Sequence, residues 1–303
     1  MKRLTPVLCL AFALTACGGQ DPLDAPDADT SAAAPGASIV IGTANFPESE
    51  ILGQLWAAVL EDEGFDVTVK SGIGSREVYL EALESGEINV MPEYTGSLAQ
   101  YYGAELEPGA DADAVYASLE SVLPEKLKVG KMSAAESKDS FNVTEEFSKA
   151  NGVTSIADLA KLDGFTLGAN PEIVNRPFGP KGLKEVYGID NVEVKPISDA
   201  GGPLTVAALA KGEIDVANIY TTSPVLDRDG NELPTVRLED PKNIISAQNV
   251  VPLYAQGVPA EAIASLDAFN AGLLTENLKA MNVRHVGPEK AEVDVIVEEF
   301  FTD

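Results

Sequence analysis

Histidine occurs once and cysteine twice in the 303 residues, so the side chains from which most metal sites, thiol chemistry and acid–base triads are built are scarce. The one histidine, His285, follows an Asn-Val-Arg stretch far from any nucleophile and reads as a surface residue. His-Glu-x-x-His, a Walker loop, a Gly-x-Ser-x-Gly elbow and a cysteine pair at metal-ligand spacing are all missing. No metal, no cofactor and no covalent chemistry are therefore expected. Positive charge is also short: 21 Lys and Arg against 48 Asp and Glu leave a net charge of −27. That balance argues against nucleic acid and against direct adsorption on anionic lipid. Paired carboxylates can hydrolyse sugars, but among 48 acids any single pair is unremarkable.

What is present begins with a basic Met1-Lys2-Arg3, an apolar Val7 to Ala16, and small residues before Cys17. This reads as a secretory signal over 1–16, too short to span a membrane. Leu14-Thr15-Ala16-Cys17 resembles the bacterial lipobox, which implies that Cys17 carries lipid and tethers the chain to a membrane on the extracytoplasmic side, periplasmic or cell-surface. Cys9 lies inside the signal, so the mature chain has no internal disulfide and must rely on packing. Residues 17–38 are rich in Gly, Pro, Ala, Ser and Asp, the composition of a flexible linker that reaches on the order of 25 Å.

The body contains an echo. Ala82-Leu83-Glu84-Ser85-Gly86-Glu87-Ile88-Asn89-Val90 recurs as Ala208-Leu209-Ala210-Lys211-Gly212-Glu213-Ile214-Asp215-Val216. Each copy leads to a Tyr-Thr pair, Tyr94-Thr95 and Tyr220-Thr221. Ala-Leu-x-x-Gly ends a helix with glycine at a left-handed position, and the Ile-Asn/Asp-Val that follows starts a strand. Ligands of open α/β sheets sit beyond the carboxyl ends of strands, where both Tyr-Thr pairs fall. Each half thus offers one ring and one hydroxyl to a clamp.

Strand-like runs at Ile39–Gly42, Phe65–Lys70, Ile88–Met91, Lys128–Met132, Phe165–Ala169, Val192–Ile197, Ile214–Ile219 and Val250–Ala255 trade places with amphipathic stretches such as Ser49–Glu63 and Ser75–Ser85. That alternation predicts an α/β fold with mostly parallel sheets flanked by helices. The rhythm breaks at Ser133–Asn142 and at Pro241–Asn249, which suggests two crossings between lobes. Lobe 1 is placed at 39–137 plus 245–303 and lobe 2 at 138–244, with a hinge and a cleft between them.

Further candidates line up with that cleft. Gly72-Ile73-Gly74-Ser75-Arg76-Glu77 begins like a dinucleotide fingerprint, but Glu77 stands where the third glycine belongs. The amides around Gly74 and Ser75 suit either an anion at a helix amino terminus or a tight structural turn. Asn170-Pro171-Glu172-Ile173-Val174-Asn175-Arg176 has a cap residue and a first-turn proline. Its Glu172 and Arg176 read either as a surface pair or as a carboxylate-holding arginine with its orienting acid. Pro92 and Gly96 flank Tyr94 and argue against a strand continuing through it. Tyr94 and Tyr220 facing one another would attract a quaternary ammonium at about 0.5 to 2 kcal/mol each.

These segments resemble the substrate-binding proteins of glycine betaine, choline and osmoprotectant ABC importers. The matching stretches are Ile41-Gly42-Thr43-Ala44-Asn45-Phe46 with Glu50-Ile51-Leu52-Gly53, then Gly74 to Glu77, Gly86-Glu87-Ile88 and Pro92-Glu93-Tyr94-Thr95-Gly96. Asn170 to Arg176, Gly202-Pro203-Leu204-Thr205, and Gly212 to Asp215 with Tyr220-Thr221-Thr222 complete them. The resemblance implies a two-lobed, hinged solute-binding fold of the periplasmic-binding-protein type II kind. It implies Tyr94 and Tyr220 as cage walls, Thr95 and Thr221 as nearby hydroxyls, and Arg176 with Glu172 as the holders of a ligand carboxylate. Asn45 stands where some members carry a basic residue, and Gln248, beside Asn249, where another tyrosine is expected; Ser75 completes the set. The expected function is an extracytoplasmic receptor that delivers a small zwitterionic or quaternary-ammonium solute to ABC permease subunits and their ATPase, acting as a monomer. The sparse cage predicts weak betaine binding, or a different preferred ligand with more hydrogen-bonding groups than methyls. A receptor for an amino acid or another polar solute, and a surface-anchored hydrolase, remain the alternatives.

Overall fold

The computed structural model describes residues 38–302; the signal segment, Cys17 and the linker up to residue 37 lie outside the described residues. β1 (Ile39–Gly42), α1 (Pro47–Asp62), β2 (Val67–Lys70), α2 (Arg76–Ser85) and β3 (Val90–Tyr94) alternate, followed by α3 (Thr95–Tyr101), α4 (Ala112–Val122) and β4 (Leu127–Val129). Next come β5 (Asp139–Thr144), α5 (Glu145–Asn151), β6 (Phe165–Ala169), a short α6 (Pro180–Gly182), β7 (Val192–Pro196), α7 (Pro203–Ala210), β8 (Val216–Tyr220) and β9 (Thr235–Arg237). The chain returns through β10 (Val250–Ala255) and ends in α8 (Ala260–Gly272), α9 (Thr275–Val286) and α10 (Val293–Phe300).

The strands form two five-stranded sheets, ordered β2-β1-β3-β10-β4 and β7-β6-β8-β5-β9. Each sheet centres a lobe, and the two orders correspond strand for strand. In both, the first three strands are parallel, as the alternation predicts. The other half of each sheet is antiparallel, because a strand arriving from the opposite lobe, β10 or β5, inserts beside β3 or β8. Four of the five strands in each sheet therefore run the same way, with β10 or β5 the single strand opposed to them. Hydrophobic cores line their faces: Ile39, Ile41, Leu52, Leu55 and Trp56 anchor one in the first lobe, and Phe141, Val143, Leu167 and Val216 one in the second. Burying each such side chain contributes about 1.5–3 kcal/mol.

The echoed segments do the same work in each lobe. Gly86 and Gly212 sit at φ 81° and 65°, left-handed positions that a Cβ would strain. Asn89 and Asp215 then extend the ladder with their side chains. Val40 N donates to Asn89 Oδ1 at 2.8 Å while Asn89 N donates to Val40 O at 2.8 Å. In the second lobe Thr166 N donates to Asp215 Oδ2 at 2.8 Å and Asp215 N to Thr166 O at 3.1 Å.

Two elements differ from expectation. β3 runs through Pro92 to Tyr94 and is central, against the reading that proline would end it. Pro92 lies opposite Pro252, between the bonded positions Asn89–Ala255 and Thr95–Asn249, so alternation leaves neither proline needing to donate across that ladder. On its other side β1 has already ended at Gly42. The second is β5, which begins inside the apparent break. Its Ser140 and Asn142 are buried polar residues, satisfied by Ser140 Oγ donating to Ile219 O at 2.6 Å and Asn142 Nδ2 to Ser140 O at 3.1 Å, so apolar periodicity does not mark it. His285 is half-buried at the end of α9, with Nδ1 2.9 Å from Ala291 O.

The crossings run side by side as a ribbon: Ser133 N to Val250 O at 2.8 Å, Val250 N to Ala135 O at 3.0 Å, and Ser137 N to Gln248 O at 3.0 Å. Among the described residues no helix is long and apolar enough to cross a membrane.

Candidate ligand-binding site

A cavity of about 220 Å³ opens at the carboxyl ends of β3 and β8, between the two sheets. Tyr94 and Tyr220 both line it. Their rings are joined by a third that the sequence reading had not singled out as a wall. Phe46, the cap residue of α1, places its ring 6.2 Å from Tyr94 and 5.6 Å from Tyr220. Pro47 in the first turn of α1 fixes the entry of that helix and so the position of Phe46. Tyr79 and Phe178 add further aromatic lining. Burial raises both the Tyr94 and Tyr220 phenols, with Glu48 adding to the first and Asp139 to the second, so both rings stay neutral.

Behind Tyr94 stands Glu48, buried in the first turn of α1. Its carboxylate accepts from Tyr94 Oη at 2.6 Å, Thr222 Oγ1 at 2.6 Å and Asn282 Nδ2 at 2.7 Å. Three charge-assisted bonds offset the desolvation of one buried charge. Glu93, fully buried on β3, is the second such hub. It accepts Arg76 Nε at 2.8 Å, Arg76 Nη2 at 3.0 Å, Tyr79 Oη at 2.6 Å and Tyr94 N at 2.8 Å. Burial pulls the Arg76 guanidinium down, but Glu93 outweighs it and holds the group firmly charged. Neither role carries a local sequence signal, because the side-chain donors come from other segments of the chain.

Arg176, Glu172, Asn45, Ser75 and Gln248 also line the cavity. Arg176 does not pair with Glu172. The segment Pro171–Asn175 is a 3₁₀ turn, not an α-helix, and Arg176 follows it in extended conformation; at three residues per turn, positions four apart do not share a face. Instead Arg176 Nη1 reaches across the cleft to Glu77 Oε1 at 3.0 Å. Partial burial pushes the Glu77 carboxyl up, but its own backbone amide, Ser75 and Arg176 outweigh this and hold it below the usual range. Gln248 is tied to Ser97, accepting its amide at 2.9 Å and donating to its hydroxyl at 2.9 Å.

Thr95, Thr221 and Asn249 are not among the residues lining the cavity. The two threonines act as a matched pair on the crossings. Thr95 Oγ1 accepts from Asn249 N at 3.1 Å, and Thr221 Oγ1 accepts from Lys138 N at 3.0 Å. Each hydroxyl holds the strand that arrives from the other lobe. Asn249 Nδ2 donates to Ser133 O at 3.0 Å within the ribbon. Gly96 completes the Pro-Glu-Tyr-Thr-Gly run for a steric reason, since a Cβ there would run into Ser246 Oγ and Ala247 O.

Asp139, at the start of β5, lines the cavity opposite Tyr220 in register. Burial lifts its carboxyl to about 6, outweighing the neighbouring Asn218 amide and the Arg76 and Arg176 guanidiniums. An aspartate opening a strand reads as turn chemistry, which is why the sequence does not flag it. The described residues contain no cluster of three or more His, Cys, Asp or Glu suited to a metal ion.

The chain matches the family model described as the substrate binding domain of ABC-type glycine betaine transport systems over residues 37–303. It is 26% identical over 272 residues to the glycine betaine-binding protein YehZ of Escherichia coli strain K12, covering 81% of this chain and 88% of that one. It is 26% identical over 321 residues to a glycine-betaine-binding protein of Pseudomonas aeruginosa, covering 100% and 97%. A crystal structure of a glycine betaine/carnitine/choline ABC transporter protein superposes with a TM-score of 0.65 at 22% identity, covering 87% of this chain and 97% of that one. With a two-lobed fold, a small cavity where the strands of both sheets end, and a match running through both lobes, the chain belongs to the substrate-binding domains of ABC-type glycine betaine transport systems.

Proposed function

We propose that this protein is the extracytoplasmic receptor of an ABC importer and captures a small ammonium-bearing zwitterion of the glycine betaine kind, without altering it, for delivery to the permease and its ATPase. The observation that carries the reading is the trio of rings from Phe46, Tyr94 and Tyr220, set on both lobes around one cavity that Arg176 also lines. At about 220 Å³ the cavity is smaller than the roughly 300–1,000 Å³ of drug-sized sites. The names of the two curated relatives point to the same solute. Lobes at 39–137 plus 245–303 and at 138–244 move about the ribbon, Arg176 takes the solute's carboxylate in exchange for Glu77, and Glu172, Asn45, Ser75 and Gln248 complete the contacts. Upstream, Cys17 carries the lipid that keeps the receptor, a monomer, at the membrane.

The affinity follows from the parts. Three cation–π contacts at about 0.5–2 kcal/mol and one charge-assisted bond at about 1.5–3 kcal/mol sum to roughly 3–9 kcal/mol gross, while micromolar binding needs about 8 kcal/mol net. Because Arg176 must first release Glu77, betaine binding weaker than micromolar is expected. The test is a thermal-shift and calorimetric panel of betaine, choline, carnitine, ectoine and amino acids. Tyr94→Ala and Tyr220→Ala should each shrink the betaine response, and unchanged responses in both would reject the cage.

A further inference from the structure

The aromatic enclosure has one polar side. Asp139 and Tyr220 face each other across the β5–β8 ladder, and Phe141 faces Asn218 two pairs further on and so on the same face, which brings a carboxylate and a carboxamide to the cavity wall beside Tyr220. Both side chains line the cavity. Asn218 is 8% exposed, and its Nδ2 is buried without a hydrogen-bond partner. Asp139 is not among the ion-paired carboxylates of the described residues. The two guanidiniums that act on it are already committed, Arg76 to Glu93 at 2.8 Å and Arg176 to Glu77 at 3.0 Å. The cavity wall thus carries a carboxylate with no ion-pair partner beside an amide that steadies it without a hydrogen bond of full geometry.

A trimethylammonium group answers neither. Its charge is sheathed in methyls, so it offers Asp139 no N–H and keeps its positive centre a methyl's width away. An ammonium that retains one N–H makes a charge-assisted bond of the stronger class while its remaining methyls still meet the rings of Phe46 and Tyr220. Resting on the receptor reading above, we propose that Asp139, assisted by Asn218, is the specificity-determining residue of this cavity and that it selects zwitterions whose ammonium keeps at least one N–H over fully methylated ones. The expectation that the best ligand carries more hydrogen-bonding groups than methyls acquires a location. The elevated proton affinity that burial gives Asp139 fits an acid that waits for a cationic partner.

The decisive comparison uses N,N-dimethylglycine and glycine betaine, which share the carboxylate and differ by one methyl on nitrogen. Calorimetry at pH 7.5 on the full chain is expected to show dimethylglycine binding about fivefold or more tightly, since a charged hydrogen bond outweighs the loss of one methyl contact. In Asp139→Asn the preference is expected to vanish or reverse. A wild-type protein that binds both equally, or prefers betaine, overturns the inference while leaving the receptor reading standing. A preference that survives intact in Asp139→Asn and in Asn218→Leu overturns the assignment to this corner. Binding of neither solute by the wild-type protein overturns the receptor reading and this inference with it.

Discussion

Replacing Asp139 by asparagine should stabilise the ligand-free protein at neutral pH and leave it almost unchanged in acid. In the folded chain burial raises this carboxyl from an ordinary 3.8 to about 6, so the native state binds the Asp139 proton more tightly than the unfolded chain does. The sign follows from linkage. A group whose folded value is raised contributes fully below about 4, and that contribution drains away as pH climbs through about 6. Above pH 6 the folded protein must hold an ionised, unpaired carboxylate. A shift of about two units corresponds to at most about 3 kcal/mol, at 1.36 kcal/mol per unit. Asp139→Asn removes the charge and keeps the shape. Urea denaturation of wild type and variant from pH 4 to pH 8, with slopes m compared to verify that the unfolded states match, gives the difference between them at each pH. The many other acids titrate in both proteins and cancel. The variant should gain up to about 3 kcal/mol between pH 4 and pH 7.5, with the rise centred between the two ionisations. A difference that stays flat with pH, or a variant that is less stable at pH 7.5 than at pH 4 relative to wild type, would show that Asp139 is solvated or paired and that the physical account is mistaken. Stability gained at the expense of ligand discrimination is the trade expected of a binding residue.

Two further outcomes test other parts of the structure. Glu48→Ala leaves Tyr94 Oη without its acceptor, while Thr222 Oγ1 keeps Ser137 Oγ at 2.8 Å and Asn282 Nδ2 keeps Thr222 O at 3.3 Å; at about 1–3 kcal/mol per orphaned group it should lower stability by about 1–3 kcal/mol in a denaturant titration, and an unchanged stability would contradict the hub. Metabolic labelling of bacterial cells expressing the full chain with a tagged fatty acid should mark the protein, and Cys17→Ser should abolish the label; equal labelling of both would remove the proposed anchor.

Much of the architecture is legible along the chain because it rests on local rules. The strands at Ile39–Gly42, Phe165–Ala169 and Val250–Ala255 are apolar runs bounded by turn residues, and the helix-Gly-strand echo repeats one backbone solution, with Gly86 and Gly212 both left-handed. Tyr94 and Tyr220 are legible as cavity residues because they end the strands that follow the echoed glycines, and Arg176 because it follows the Pro171–Asn175 turn. Thr95 and Thr221 stand next to the tyrosines in sequence, which suggests a ligand, whereas their hydroxyls accept from Asn249 N and Lys138 N. The mixed character of the sheets was hidden, since a strand's direction beside its neighbour depends on where it arrives from, not on its composition.

What the chain determines by itself, through periodicity, glycine positions and caps, is the set of elements and the two-fold repetition that makes a clamp of them. Only the folded arrangement decides what the clamp holds. Phe46 becomes a wall because α1 starts between two tyrosines, Glu48 becomes a hub because three remote donors converge on it, and Asp139 becomes an unpaired charge because the arginines near it are already occupied. Each of these properties is a relation between groups far apart along the sequence. Burial and electrostatics act through space, and no local pattern encodes which distant groups will meet.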